Sequence, residues 1–429
     1  MIHTQGLKMF RVAAHVGIQI AVFAALMGIS IPAFGQTKTK KTDKITTPKP
    51  AQKKNAAPKS GAAAAEPPSD SAATTTPSPK PLPAFRPSEE DLAATSAGAG
   101  VQSSPPLPRS PRRPKTPLKF TAENKSISTT TGSLYGTLLV PETASTTALV
   151  PVVLILNSNT VYDRDGVSRL NQDSSAHAKL LAEALAAEGI ASLRYDTRGI
   201  GKSVSAFISE EFHDFERTIT DACQWIDSLR RDPRFSSVVV LGFGRPNDFG
   251  REGALAGIQA AYRMQADGLI LVGAESRPWL RYLKNQAYAT FTEASARQID
   301  SVASLLENGE RPRVTKEMGA LYNLFRPTLQ SYVLSLNKYN PVEEIAKLSI
   351  PIIAVHGTLD FTVGEEQTKA LVAANPGAKF FSIKNMSFNL KDGNQDLSTL
   401  PKEKGRVPIL PSIVDLFANY VWSLEKARP

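Results

Sequence analysis

The chain has 429 residues, a net charge of +10 and one cysteine, Cys223. A lone cysteine excludes an intrachain disulfide and a cysteine-built metal site, and five scattered histidines argue against a histidine-built one. The charge is local: residues 37–119 hold 15 Lys+Arg against 6 Asp+Glu, whereas 33 stand against 34 from residue 120 onward. The folded part therefore offers no electrostatic case for nucleic acid.

Residues 1–35 read as a secretory signal. Lys8 and Arg11 form a basic start, Ile18 to Ile31 is apolar, Pro32 breaks the helix, and Ala33-Phe34-Gly35 is a small-x-small cleavage site. An uncleaved anchor over Val12–Phe34 is the competing reading. Either way the chain is expected to be exported, periplasmic or extracellular. Residues 36–119 are low-complexity, rich in Pro, Lys and Ala, with no hydrophobic period. Such a segment buries too little apolar surface to offset its ordering entropy, so a disordered linker is expected. Its positive charge suits contact with an anionic cell envelope, and a solvated spacer is the plainer reading.

From Phe120 the pattern is that of a folded α/β domain over 120–429. Phe120–Val140 alternates about Gly132 and Gly136, as a β-hairpin does. Val150–Leu156, Ile190–Tyr195, Val238–Leu241, Gly268–Val272, Ile350–Val355 and Lys379–Ile383 are short apolar runs, the mark of strands buried on both faces. Between them, Ala176–Glu188 has helical spacing, with Ser175 as its expected cap and Gly189 as its stop. Phe215, Ile219, Cys223, Ile226 and Leu229 fall on one helical face, which makes Cys223 a core thiol. Pro411–Leu424 closes the chain as a helix. Alternating strands and helices imply a mostly parallel sheet covered on both faces. Residues 276–345 interrupt the order with a helical insert over Tyr282–Phe291, Ala294–Asn308 and Gly319–Asn337. Inserted between two strands, it is expected to cap the C-terminal edge of the sheet, where ligands of open α/β sheets bind.

Three segments carry a family resemblance: LLAEALAAEGIASLRYDTRGIGKS (180–203), ADGLILVGAESRP (266–278) and LFRPTLQSYVLSLNKYNPVEEIAKLSIPIIAVHGTLDFTV (324–363). In their order and spacing, over roughly 120–425, the chain resembles secreted bacterial α/β-hydrolases of the serine-esterase and serine-aminopeptidase-like type. That resemblance implies an α/β-hydrolase fold with a helical cap, no cofactor or metal, and a Ser-His-Asp triad in active members. The acid maps onto Asp360 in His356-Gly357-Thr358-Leu359-Asp360. The histidine maps onto Phe388, which can neither take nor give a proton. The nucleophile maps onto Gly244 when the strand is the anchor, or onto Arg251 when Glu252-Gly253-Ala254-Leu255 is. No Ser, Thr or Cys occurs between Val238 and Ala274, and Arg245–Arg251 lengthens the elbow, where a G-x-S-x-G turn would present the serine. The oxyanion loop departs too: Asn157, Ser158 and Asn159 stand where the family has glycine-rich backbone, and their side chains are expected to crowd the site.

Loss of the serine or the histidine alone removes about 10⁶ in turnover, leaving roughly 10³–10⁴ over water. Two readings follow. One is a pseudoenzyme that binds a small molecule or protein in the cap/sheet-edge pocket. The other is an active carboxylic-ester or acyl hydrolase with a non-standard catalytic set. Asp248, in an Asp-Phe-Gly resembling a dehalogenase elbow, is the one alternative nucleophile in the loop. Ser203 reads as structural, and His356 as a strand-end residue, with service as a rescuing base the lesser reading. His177 and His213 read as exposed helix residues. Asp196 and Arg198 are expected to pair with Arg164 and Asp163.

Overall fold

The computed structural model describes residues 98, 100–157, 162–167, 175–244, 252–360, 363–394 and 407–425. Eight strands form one sheet in the order β1-β2-β4-β3-β5-β6-β7-β8. They are β1 (Phe120–Thr129), β2 (Gly132–Pro141), β3 (Val150–Leu156), β4 (Ala191–Tyr195), β5 (Phe235–Phe243), β6 (Gly268–Val272), β7 (Ile352–Gly357) and β8 (Ala378–Ile383). β1 and β2 are the expected hairpin, and β2 also runs antiparallel to β4. Every pair from β4 through β8 is parallel.

Both faces are covered, as the unbroken apolar strands require. Side chains alternate across the pleat. Val153, Ile155, Val239, Leu241, Ile353 and Val355 face α1 (His177–Ala187) and the C-terminal helix α10 (Pro411–Ser423). Val152, Leu154, Val238, Val240, Leu269 and Leu271 face the opposite layer, with α2 (Phe215–Arg230) and α3 (Glu252–Met264). α9 (Glu365–Ala373) lies between β7 and β8 in the chain.

The insert is helical as expected: α4 (Trp279–Thr290), α5 (Glu293–Glu307), α6 (Ala320–Phe325), α7 (Pro327–Asn337) and α8 (Pro341–Ala346). One correction concerns residues 319–337, expected as a single helix. Arg326 is extended, with φ −51° and ψ 146°, and separates α6 from α7. Pro327 is the cause: its ring excludes the helical conformation from the residue before it, while its fixed φ starts the next helix well.

The packed chain also begins earlier than composition places it. Residues 104–118, read above as linker, lie against the sheet and its helices. Ser104 N donates to Phe380 O (2.6 Å), Asn419 Nδ2 to Leu107 O (3.3 Å) and Leu118 N to Ala187 O (2.8 Å). Arg113 is buried and bonds Glu188, Asp415 Oδ1 (2.6 Å) and Asn419 Oδ1 (3.2 Å). A Pro-rich strap lacks a hydrophobic period of its own, so its docking depends on partners distant in sequence. Residues 1–35, expected above to be a secretory signal, lie outside the described residues, among which no helix is long and apolar enough to cross a membrane.

Candidate active site

β3, β5, β6 and β7 are parallel neighbours, so their C-terminal ends lie along one edge of the sheet. Gly244 N donates to Val272 O (2.8 Å), extending the β5–β6 ladder one residue past β5. A Cβ on Gly244 would stand 2.6 Å from Ala274 Cα, inside the backbone of the chain leaving β6. No L side chain fits there without moving 273–274, so the strand-anchored position cannot hold a nucleophile in this backbone. The start of α3 is seated tightly as well. A Cβ on Gly253 would lie 2.7 Å from both Leu156 O and Phe243 O. Glycines at 242 and 253 therefore let helix and strand touch through backbone, as an elbow junction requires, whatever the intervening residues do. Arg251, Asp248 and the rest of 245–251 lie outside the described residues, as do Ser158 and Asn159.

Asp360 occupies the turn after β7, is 7% exposed, and donates its N–H to Gly357 O (2.9 Å). Its carboxylate leaves no room for a Cβ on Gly273, which would fall 2.9 Å from Asp360 Oδ2. Gly273 has φ +56°, so glycine is needed there for conformation and for space. The loop at 385–393 docks beside this turn: Leu359 N donates to Met386 O (3.0 Å) and Asn385 N to Thr358 Oγ1 (2.8 Å). Phe388 sits half-buried in that loop, inside a turn closed by Leu390 N to Ser387 O (3.0 Å). The Asp360 turn and the loop that holds Phe388 are thus juxtaposed.

The matched family is described as serine aminopeptidase S33, over residues 166–385. The chain belongs to that family of hydrolases. Among curated relatives, the esterase EstD of Thermotoga maritima is 23% identical over 248 residues, covering 57% of this chain and 53% of the relative. The match thus spans about half of EstD's length. Among solved structures, the Est1E protein of Butyrivibrio proteoclasticus with bound ferulic acid is 17% identical (TM-score 0.41; 70% of this chain, 96% of that one). A thermophilic esterase from Thermogutta terrifontis, malate-bound, is 18% identical (TM-score 0.39; 62% and 92%).

Between cap and sheet edge of this family member lies a small cleft. Leu255 and Ile258 of α3, Ala274 after β6, Trp279 of α4 and Leu336 of α7 line it, with Arg277 at its polar side. Glu275 fixes that arginine: Oε1 accepts from Arg277 Nε (2.7 Å) and Oε2 from Arg277 Nη2 (2.9 Å). Within the insert, Leu280 N donates to Asn337 Oδ1 (3.0 Å) and joins α4 to α7, and Gln259 Nε2 to Glu344 Oε2 (2.8 Å) ties α3 to α8. Sequence reading missed the Glu275–Arg277 pair. Its only signal was an acid and a base two residues apart, too common to single out.

Several side chains lie elsewhere than expected. His177 is fully buried, not exposed, with Nε2 3.0 Å from Asn157 Oδ1 and its ring edge-on to Phe243 at 5.0 Å. Asn157 is turned to that histidine, so it holds α1 to β3 instead of crowding the site. Ser175 does not cap α1; the N-cap is Ala176, in a left-handed conformation with φ 49°. His213 stacks on Tyr332 of the cap at 5.1 Å, and burial, with the Arg198 charge nearby, lowers its pKa to about 4. Asp196 does pair with Arg164 (2.5 Å). Arg198 instead pairs with Asp221 of α2 through Nε (2.7 Å) and Nη2 (2.6 Å). Asp163 accepts Asp165 N (2.9 Å) and Val167 N (3.0 Å), closing its own loop; burial raises its pKa. Ser203 is structural as expected, its Oγ accepting from Tyr135 N (2.9 Å). His356 is buried, bonded to Val363 O (2.9 Å), with Nδ1 3.8 Å from Glu365.

Proposed function

We propose that this chain is an exported hydrolase-like protein whose cap/sheet-edge cleft binds a small molecule or a protein segment without Ser-His-Asp turnover. The observation that carries this reading is the pairing of an acid turn with Phe388 in the docked histidine loop. A phenylalanine at the histidine position supplies no imidazole, so the proton transfer of the triad has no carrier there. Exclusion of any side chain at Gly244 supports the same reading from the nucleophile side. The apolar lining with Arg277 at one side suits a ligand with an apolar body and a polar end. The basic residues of 37–103, ahead of the docked strap, supply electrostatic attraction to an anionic envelope surface.

Steady-state kinetics with p-nitrophenyl hexanoate test the claim, together with the fluorescence of Trp279 in the cleft. Saturable quenching with no continuing nitrophenolate release above buffer is the expected result. Sustained turnover by homogeneous protein would overturn the binding-protein reading, and absence of saturable quenching would remove the cleft as the binding site.

A further inference from the structure

A second polar constellation lies at the start of α1, apart from the Asp360 turn. His177 Nε2 faces Asn157 Oδ1 at 3.0 Å, and its Nδ1 faces Ser175 Oγ at 3.2 Å. With the amide oxygen as acceptor, Nε2 carries the proton, which makes Nδ1 the acceptor for the serine hydroxyl. Side chains at i and i+2 do not face each other on a helix. They meet here because Ala176 between them is left-handed, with φ 49° and ψ 34°. That conformation disfavours a non-glycine residue and is the kind of local strain that collects at reactive positions. Lys391 Nζ, itself in a buried residue, donates to Ser175 O (2.6 Å), bringing a positive charge beside the serine. Ser175 is half-exposed while His177 is fully buried, so a base shielded from water serves a hydroxyl at the surface.

We propose that Ser175 is an acyl-accepting nucleophile, with His177 as its base and Asn157 as the group that orients the imidazole. The partner chemistry is an activated carboxylic ester; a fluorophosphonate probe reports the same nucleophile by forming a Ser175 Oγ–phosphorus bond and losing fluoride, with the proton held on His177. Ser175 Oγ bonds to the carbonyl carbon, and the hydroxyl proton passes to His177 Nδ1. The bond to the leaving oxygen then breaks, and that oxygen takes the proton from His177, leaving an O-acyl serine. Lys391 stabilises the negative charge that develops on the carbonyl oxygen. Asn389 Oδ1 and Gly166 O, acceptors at 3.3 and 3.4 Å from Ser175 Oγ, compete with His177 Nδ1 for its single proton, so the hydroxyl turns to Nδ1 for attack. This step does not use Asp360 or the cap cleft, and it goes beyond the binding role proposed above.

The test is reaction of the whole protein with a fluorophosphonate probe, followed by peptide mapping. One equivalent of adduct on Ser175 is expected, absent in Ser175→Ala and slowed by at least about 10²-fold in His177→Gln, the lower bound for a lost general base. No adduct, an adduct elsewhere, or labelling that survives Ser175→Ala overturns the proposal. Because His177→Gln removes a buried ring, Ser175→Cys provides a second measure. The introduced thiol should alkylate with iodoacetamide at least tenfold faster than Cys223; equal or slower reaction overturns the activation. Ester turnover that needs Ser175 would sink the binding-protein reading and keep this one, whereas a missing adduct does the reverse.

Discussion

Gly244 lies so close to Ala274 that a methyl group on it would stand 2.6 Å from the Ala274 Cα. The elbow is closed at this point by backbone against backbone. Gly244→Ser is therefore expected to give no ester hydrolysis and to lower stability by about 1–3 kcal/mol, the usual range for overpacking a close-packed site. Chemical denaturation and an esterase assay check both halves; a serine there that hydrolyses esters would show that the backbone opens freely.

The Arg198–Asp221 pair is buried on both sides, at 6% and 4% exposure, and joins the loop after β4 to α2. Removing one partner strands the other charge away from water. Arg198→Met should cost on the order of 3–5 kcal/mol, while the double change with Asp221→Leu should recover much of that loss. Urea midpoints of the two variants decide between a buried ion pair and a solvated one.

His213 gives the stability a defined acid limb. Its folded pKa of about 4 lies below its unfolded value near 6.5, because burial and Arg198 disfavour the charged ring. Above pH 6.5 the ring is neutral in both states and carries no penalty. As pH falls from 6.5 toward 4, the unfolded state takes up the proton first, so stability drops by on the order of 3 kcal/mol across that window. In His213→Phe, which keeps an aromatic ring against Tyr332, the melting temperature should decline less steeply between pH 6.5 and 4 than in the parent chain.

Arg113 fastens the strap to α10 and to the residue that ends α1, through Asp415, Asn419 and Glu188. Charge-assisted hydrogen bonds of this kind contribute about 1.5–3 kcal/mol each when neither partner is free to rehydrate. Asp415 is well exposed, so the loss in Arg113→Ala should be nearer 2 kcal/mol in total. Limited proteolysis should then cut within 104–119 faster than in the parent chain, and a chain begun at residue 120 should melt at a lower temperature.

Much of this molecule was legible in the sequence. Strands buried on both faces must be continuously apolar, and that constraint marked every parallel strand to within a few residues. Triad chemistry needs particular atoms, so a phenylalanine at 388 and the absence of any hydroxyl or thiol from Val238 to Ala274 spoke directly, without coordinates. Tertiary structure decided what depends on distant partners. A histidine at helical spacing reads the same whether solvated or buried; only the approach of β3 put Asn157 against His177. Arg198 had several acids within reach along the chain, and the packing of α2 selected Asp221. The strap has no period of its own, so its place was set by Arg113 meeting carboxylates about 75 and 300 residues away. Local pattern fixes which elements form, since propensity and burial are properties of neighbouring residues. Which polar groups meet is settled by packing, because each must find a partner once water is excluded.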